Sequence, residues 1–208
     1  MFDFNFTMII AGLPGLIIAM VIHEYAHARV AVSLGDFTPR LTGRLTLNPR
    51  AHIDPIGLIM LFLVHFGWAK PVMINARNFK NPRRDDILVS LAGPLANLAV
   101  AFLGLFVLVA YSSLIGKMSQ GFYYVFRLIV EYNIGFAIFN LLPLPPLDGS
   151  HIIKQLLPYN MQYRYAQIEK YSFIILIALL CTPILSYILV PIRSAILQIF
   201  LAVLNIIF

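Results

Sequence analysis

Charge is scarce in this chain. Asp, Glu, Lys and Arg make up only 12% of its 208 residues, against 60% apolar residues, and the mean hydropathy is +0.85. A soluble globular domain carries about 25% charged residues, so soluble enzyme classes drop out and a polytopic membrane protein is expected. Cysteine is nearly absent: Cys181 stands alone in a late apolar run, cannot form an internal disulfide and reads as a small packing residue. The N-terminus lacks the basic n-region and small-residue cleavage site of a signal peptide, so the first apolar segment is expected to stay as a span. Nor does the net charge of +6 reside on a basic helix interleaved with aromatics, so nucleic acid is not an expected partner.

What the chain does have is apolar length. Residues 8–34, 87–111, 122–142, 171–190 and 192–208 are candidate spans. At about 20 residues per crossing they predict five transmembrane helices in an all-α multi-pass membrane protein. Residues 56–66 are too few to cross and predict a re-entrant or interfacial piece. Eight of the 15 Lys and Arg residues fall between Gly35 and Asp86, which by the positive-inside rule places that segment in the cytoplasm and the N-terminus outside. Within it, residues 43–49 and 68–75 alternate polar and apolar side chains between Gly, Pro and Asn breakers, predicting a small β element; the alternative is irregular loop. No repeat, linker or low-complexity tract divides residues 1–208, so one domain is expected.

His23-Glu24-Tyr25-Ala26-His27 is an HExxH motif inside the first apolar segment. Positions i and i+4 share a helix face, so both imidazoles can reach one cation while Glu24 projects beside its water. With five His and three Glu in the chain, composition allows roughly 0.002 accidental matches. Ionisable groups are costly in hydrocarbon, and three on one turn in metal-ligand order point to a zinc site rather than to buried structural polar groups. By helical rise, His23 lies roughly 22 Å from Met8 and 16 Å from Leu34, nearer the cytoplasmic end of the expected span. Water must enter from that side.

A catalytic zinc generally takes three protein ligands. The best supplier of the third is Asp148, in Asn140-Leu-Leu-Pro-Leu-Pro-Pro-Leu-Asp148-Gly149, where Pro143, Pro145 and Pro146 should unwind the end of the preceding span and present Asp148 on irregular backbone. The alternative is a loop whose Asp caps the next helix.

HEYAH in an early span, Gly93-Pro94-Leu95-Ala96-Asn97 opening a later one, and Asn140 followed by Leu147-Asp148-Gly149 together resemble the site-2 protease family of intramembrane zinc metalloproteases. The resemblance covers most of the chain, and Gly67-Trp68-Ala69-Lys70-Pro71 is similar to the family's membrane-associated segment. It implies one Zn²⁺ held by His23, His27 and Asp148, Glu24 as catalytic base, and cleavage of transmembrane protein substrates in or near the bilayer of the cell membrane. The chain resembles a minimal member, without PDZ-like or CBS-type segments. Asn140 is expected to stabilise the tetrahedral oxyanion with its side-chain N–H; Asn97 could do so too, and either could instead tie helices together. An edge strand from residues 67–75 could hold an unwound substrate by β-addition.

Two competing readings remain at this level. A catalytically silent scaffold would bind membrane helices without cutting them, but intact Glu24 argues against it. A metal or ion transporter would spread ionisable groups through several spans, whereas here they cluster. His52 and His65 are expected at the membrane interface, His151 facing water or beside Asp148, and Arg127 paired with Glu131.

Overall fold

The computed structural model describes residues 6–57 and 67–208. The 28 residues of α1 (Phe6–Ser33) carry the HExxH turn. It stops where Gly35, at φ +107°, turns the backbone, with Gly35 N–H donating to Val32 O and Asp36 N–H to Ala31 O. That is a Schellman ending, and glycine is the residue that adopts it without strain. Two four-residue turns follow, α2 (Thr38–Leu41) and α3 (Pro49–His52), then α4 (Pro82–Leu114), α5 (Gln120–Asn140), α6 (Asp148–Leu156), α7 (Tyr159–Glu169), α8 (Ser172–Leu180) and α9 (Ile184–Ile207).

α1, α4 and α5 pack against one another around the HExxH turn. Hydrocarbon supplies no hydrophobic drive between helices, so close approach of backbones must hold them. The crossings use small residues accordingly: Ala19, Ala28, Ala31, Ala101 and Ala137 are fully buried, and a Cβ on Gly15 would lie 3.0 Å from the backbone of Ile129 on α5. α9 covers α4 and α5 with Leu189, Ile196, Leu197 and Phe200, which meet Ala101, Val130, Ile134 and Ile138. Its other face leaves residues such as Ile199 and Ile206 uncovered, a surface suited to lipid.

The all-α expectation holds, but the span count differs. Four described helices are long and apolar enough to cross: α1, α4, α5 and α9. The chain breaks at residues 181–183, not at Pro191, leaving α8 with nine residues, far short of a crossing. Pro183 sits at the cap of α9, where a missing N–H costs little, while Pro191 lies inside α9 and removes a single helix bond. The expected re-entrant piece falls largely in residues 58–66, outside the described residues.

No strand forms among the described residues; an isolated antiparallel bridge joins Ile53 to Ala69. The alternating run 68–75 is held differently. Lys70 N–H donates to His52 O, Val72 N–H to the Glu24 carboxylate and Asn75 N–H to Asp36, so its amides meet α1 and the 49–53 turn instead of a strand partner. His52, expected at the interface, is fully buried, with Nε2 2.8 Å from Thr46 O.

Candidate metal centre

His23, Glu24 and His27 lie on one turn of α1 and are all buried. Opposite them, Asp148 is the first residue of α6 rather than part of an irregular segment. Residues 141–147 form the turns that Pro143, Pro145 and Pro146 demand, Leu147 takes an extended cap conformation, and Ser150 Oγ donates to Leu147 O. Gly149 lets this turn lie directly on the end of α5, because a Cβ there would collide with the carbonyl of Leu141. The third candidate ligand is thereby delivered to the first two. His23 Nε2 and His27 Nε2 are 3.1 Å apart, and Asp148 Oδ2 lies 3.1 Å from the former and 3.3 Å from the latter.

The protons reveal what such a triangle can hold. His27 Nδ1–H donates to Val89 O at 2.7 Å and His23 Nδ1–H to Asn97 Oδ1 at 2.7 Å. Both acceptors are oxygens without a proton, so in the neutral imidazoles both Nε2 atoms carry lone pairs. Asp148 Oδ2, buried and without a hydrogen-bond partner, adds a third. Three acceptors converging in a buried site repel one another unless a cation lies among them. Tetrahedral ligation at about 2.0–2.1 Å separates donor atoms by about 3.3 Å, so two imidazoles and a carboxylate at these distances fit Zn²⁺.

α4 forms the wall behind the imidazoles. Val89, Gly93 and Asn97 recur every four residues on one face of it, and the outer two hold His27 and His23. Gly93, between them, has no room for a side chain: a Cβ would sit 2.5 Å from His27 Nε2 and 2.6 Å from His23 Cε1. Asn97 is fully buried, and its amide nitrogen donates both to Ala19 O and to Asn133 Oδ1. With its donors engaged, Asn97 is a helix tie and an imidazole acceptor rather than an oxyanion donor.

Glu24 Oε2 accepts Val72 N–H at 2.9 Å, while Oε1 has no hydrogen bond among the described residues. The segment that supplies Val72 is anchored by Asp36, just past the end of α1. Its carboxylate accepts from Asn75 N–H, Asn78 Nδ2, Thr38 N–H and Thr38 Oγ1. Burial pushes the Asp36 carboxyl up, but these donors, the Thr38 hydroxyl foremost, hold it below the usual carboxylate range.

Of the expected site residues, His23, Glu24, His27 and Asp148 come together. Asn140 ends α5 with its amide nitrogen donating to Phe136 O at 3.0 Å. His151 is exposed and leans on Asp86, with Nδ1 3.7 Å from Oδ2, and His65 lies outside the described residues. Arg127 and Glu131 pair at 2.8 Å as their spacing predicts. Sequence reasoning missed Asn133, Asp36 and the Val72 amide. The first had a signal, an amide in the middle of an apolar span; a backbone N–H has none.

Known proteins resemble this chain over most of its length. The model of peptidase family M50 matches residues 111–183, which include Asp148. "Putative zinc metalloprotease YwhC" of Bacillus subtilis is 44% identical, with 90% of each chain covered. "Putative zinc metalloprotease Rip2" of Mycobacterium tuberculosis is 32% identical over 87% of this chain and 69% of its own. No solved structure matches. On the likeness to these relatives across nearly its whole length, the chain belongs to peptidase family M50, the site-2 protease family of intramembrane zinc metalloproteases.

Proposed function

We propose that this multi-pass membrane protein is an endopeptidase that hydrolyses peptide bonds of transmembrane protein substrates within or near the bilayer, from one domain spanning residues 1–208. The observation that carries the reading is the triangle of three lone pairs beside a glutamate with one oxygen in reserve. His23, His27 and Asp148 are the zinc ligands. A zinc ion held by these three side chains would bring the pKa of water down to about 7 and would polarise the scissile carbonyl.

Glu24 does the proton work. Val72 N–H occupies Oε2, so Oε1 takes the proton of the attacking water and then returns it to the leaving amine. Asn140 turns its amide from Phe136 O toward the tetrahedral oxygen. A substrate helix shields its own peptide bonds and must unwind before attack. The 68–75 segment suits the unwound stretch: Val72 is turned to Glu24 beside the metal triangle, and its neighbour Met73 is exposed. The basic 35–86 segment supports a site that opens to the cytoplasm.

The test compares wild type and Glu24→Gln for bound zinc and for cleavage of a panel of single-span peptides in liposomes. Both should hold zinc and the wild type alone should cut; cleavage by the mutant removes Glu24 from this role. Peptide binding without cleavage by zinc-loaded wild type would favour a silent scaffold.

A further inference from the structure

Beyond the residues that face the metal, the structure ties His23 to a third helix. His23 Nδ1 meets Asn97 Oδ1 at 2.7 Å; Asn97 Nδ2 reaches Asn133 Oδ1 at 2.9 Å and Ala19 O at 2.8 Å; Asn133 Nδ2 reaches Ile129 O at 2.8 Å. Asn97 and Asn133 are both fully buried, so no water competes for these groups. The direction of every hydrogen bond follows from the two carbonyls at its ends. Ile129 O can only accept, so Asn133 must turn its nitrogen there and its oxygen toward Asn97. Asn97 must then present its nitrogen to Asn133, a choice reinforced by Ala19 O, and its oxygen to His23. An amide oxygen can only accept, so the proton of neutral His23 stays on Nδ1.

A flipped Asn97 would reverse the outcome. Its N–H would point at Nδ1, the ring proton would move to Nε2, and the atom facing His27 and Asp148 would lose its lone pair. We propose that Asn133 is a positioning residue for the metal centre: by orienting the Asn97 amide it holds His23 in the tautomer able to bind zinc through Nε2. This rests on the reading of His23 as a ligand. His27 needs no such relay, because its partner is the Val89 carbonyl, which has one orientation only. The two histidines of the motif are thus set by different devices, one backbone and one a relay from α5.

Two substitutions separate orientation from packing. Asn133→Leu keeps the branched shape and removes the acceptor together with the donor to Ile129 O. Asn133→Asp, neutral when buried, keeps an oxygen toward Asn97 and can donate its O–H to Ile129 O. Zinc affinity is measured by chelator competition on the full chain in detergent, with helical circular dichroism to confirm folding. The ¹⁵N signals of His23 in histidine-labelled, metal-free protein report the tautomer. The leucine variant should bind zinc about 10–100-fold more weakly, as loss of a ligand's orienting partner does, and show a mixed His23 tautomer; the aspartate variant should stay within about threefold of wild type with Nδ1 protonated. A folded leucine variant with unchanged affinity and tautomer overturns the proposal, as does an aspartate variant weakened more than about tenfold. Should the leucine variant not fold, the aspartate variant decides alone. A wild-type chain that binds no zinc would defeat the ligand reading, while the tautomer of the metal-free protein still decides the relay.

Discussion

Replacing Gly93 by alanine adds one methyl group at the most crowded point of the centre. In an ordinary helix that change stabilises by about 1 kcal/mol, because glycine has more backbone freedom to lose. Here the new Cβ would stand 2.5 Å from His27 Nε2 and 2.6 and 2.7 Å from His23 Cε1 and Nδ1, where ordinary contact is about 3.5 Å. Neither ring can swing aside, since Val89 O and Asn97 Oδ1 hold them from the same face of α4. α4 must therefore recede by about 1 Å, stretching both 2.7 Å hydrogen bonds past useful length. Two lost bonds at about 1 kcal/mol each and overpacking strain of about 1–3 kcal/mol outweigh the gain in propensity, leaving Gly93→Ala about 2–4 kcal/mol less stable. Ligand misplacement should weaken zinc binding about 10–100-fold. Thermal unfolding and chelator competition measure the two effects. Gly135→Ala is the control: it lies on α5 with nothing within 4 Å of a new Cβ, and it should gain up to about 1 kcal/mol. A Gly93→Ala protein with wild-type zinc affinity and unfolding temperature would refute the packing argument.

Other outcomes follow from the same contacts. Asp148→Ala removes the acceptor 3.1–3.3 Å from both imidazoles and should lower zinc stoichiometry markedly, read by elemental analysis after dialysis; unchanged stoichiometry would send the search to another ligand. Asp36→Ala strands four donors and should destabilise the fold by about 2–4 kcal/mol, measured by unfolding in detergent. The Asp36 carboxyl titrates lower folded than unfolded, so its contribution is fully present above the unfolded value of about 4 and is lost as pH falls through the depressed folded value. Protection of the Asn75 amide, its exchange rate relative to the intrinsic rate at the same pH, should accordingly fall in acid below about pH 4, and Asp36→Asn should abolish that dependence. A protection factor that stays constant through this range would exclude Asp36 as the anchor.

The amino-acid sequence was most informative where one helix carries the whole message. An HExxH turn inside an apolar run needs only the 3.6-residue period to align its imidazoles, so the two histidines, the glutamate beside them and the membrane class follow from local order alone. The existence of α4 and α5 was legible for the same reason, although α4 starts five residues before the expected span 87–111 and ends three after it. Residues 171–208 misled because Pro183 and Pro191 look alike in sequence, yet one caps a helix and the other is carried inside it. Residues 68–75 misled because alternation records an extended backbone without naming its partner.

By itself, then, the sequence determined an all-α membrane protein with a zinc-type motif on its first helix and proposed Asp148 as the distant ligand. Tertiary structure alone decided that Asp148 reaches within 3.3 Å of both imidazoles, that Gly93 leaves them room, and that Asn97 and Asn133 set the proton on His23. Those contacts join residues 36 to 125 positions apart, and no period or propensity encodes which face of one helix will meet another. Packing chooses the faces, and the packed amides then leave each lone pair a single direction in which to point.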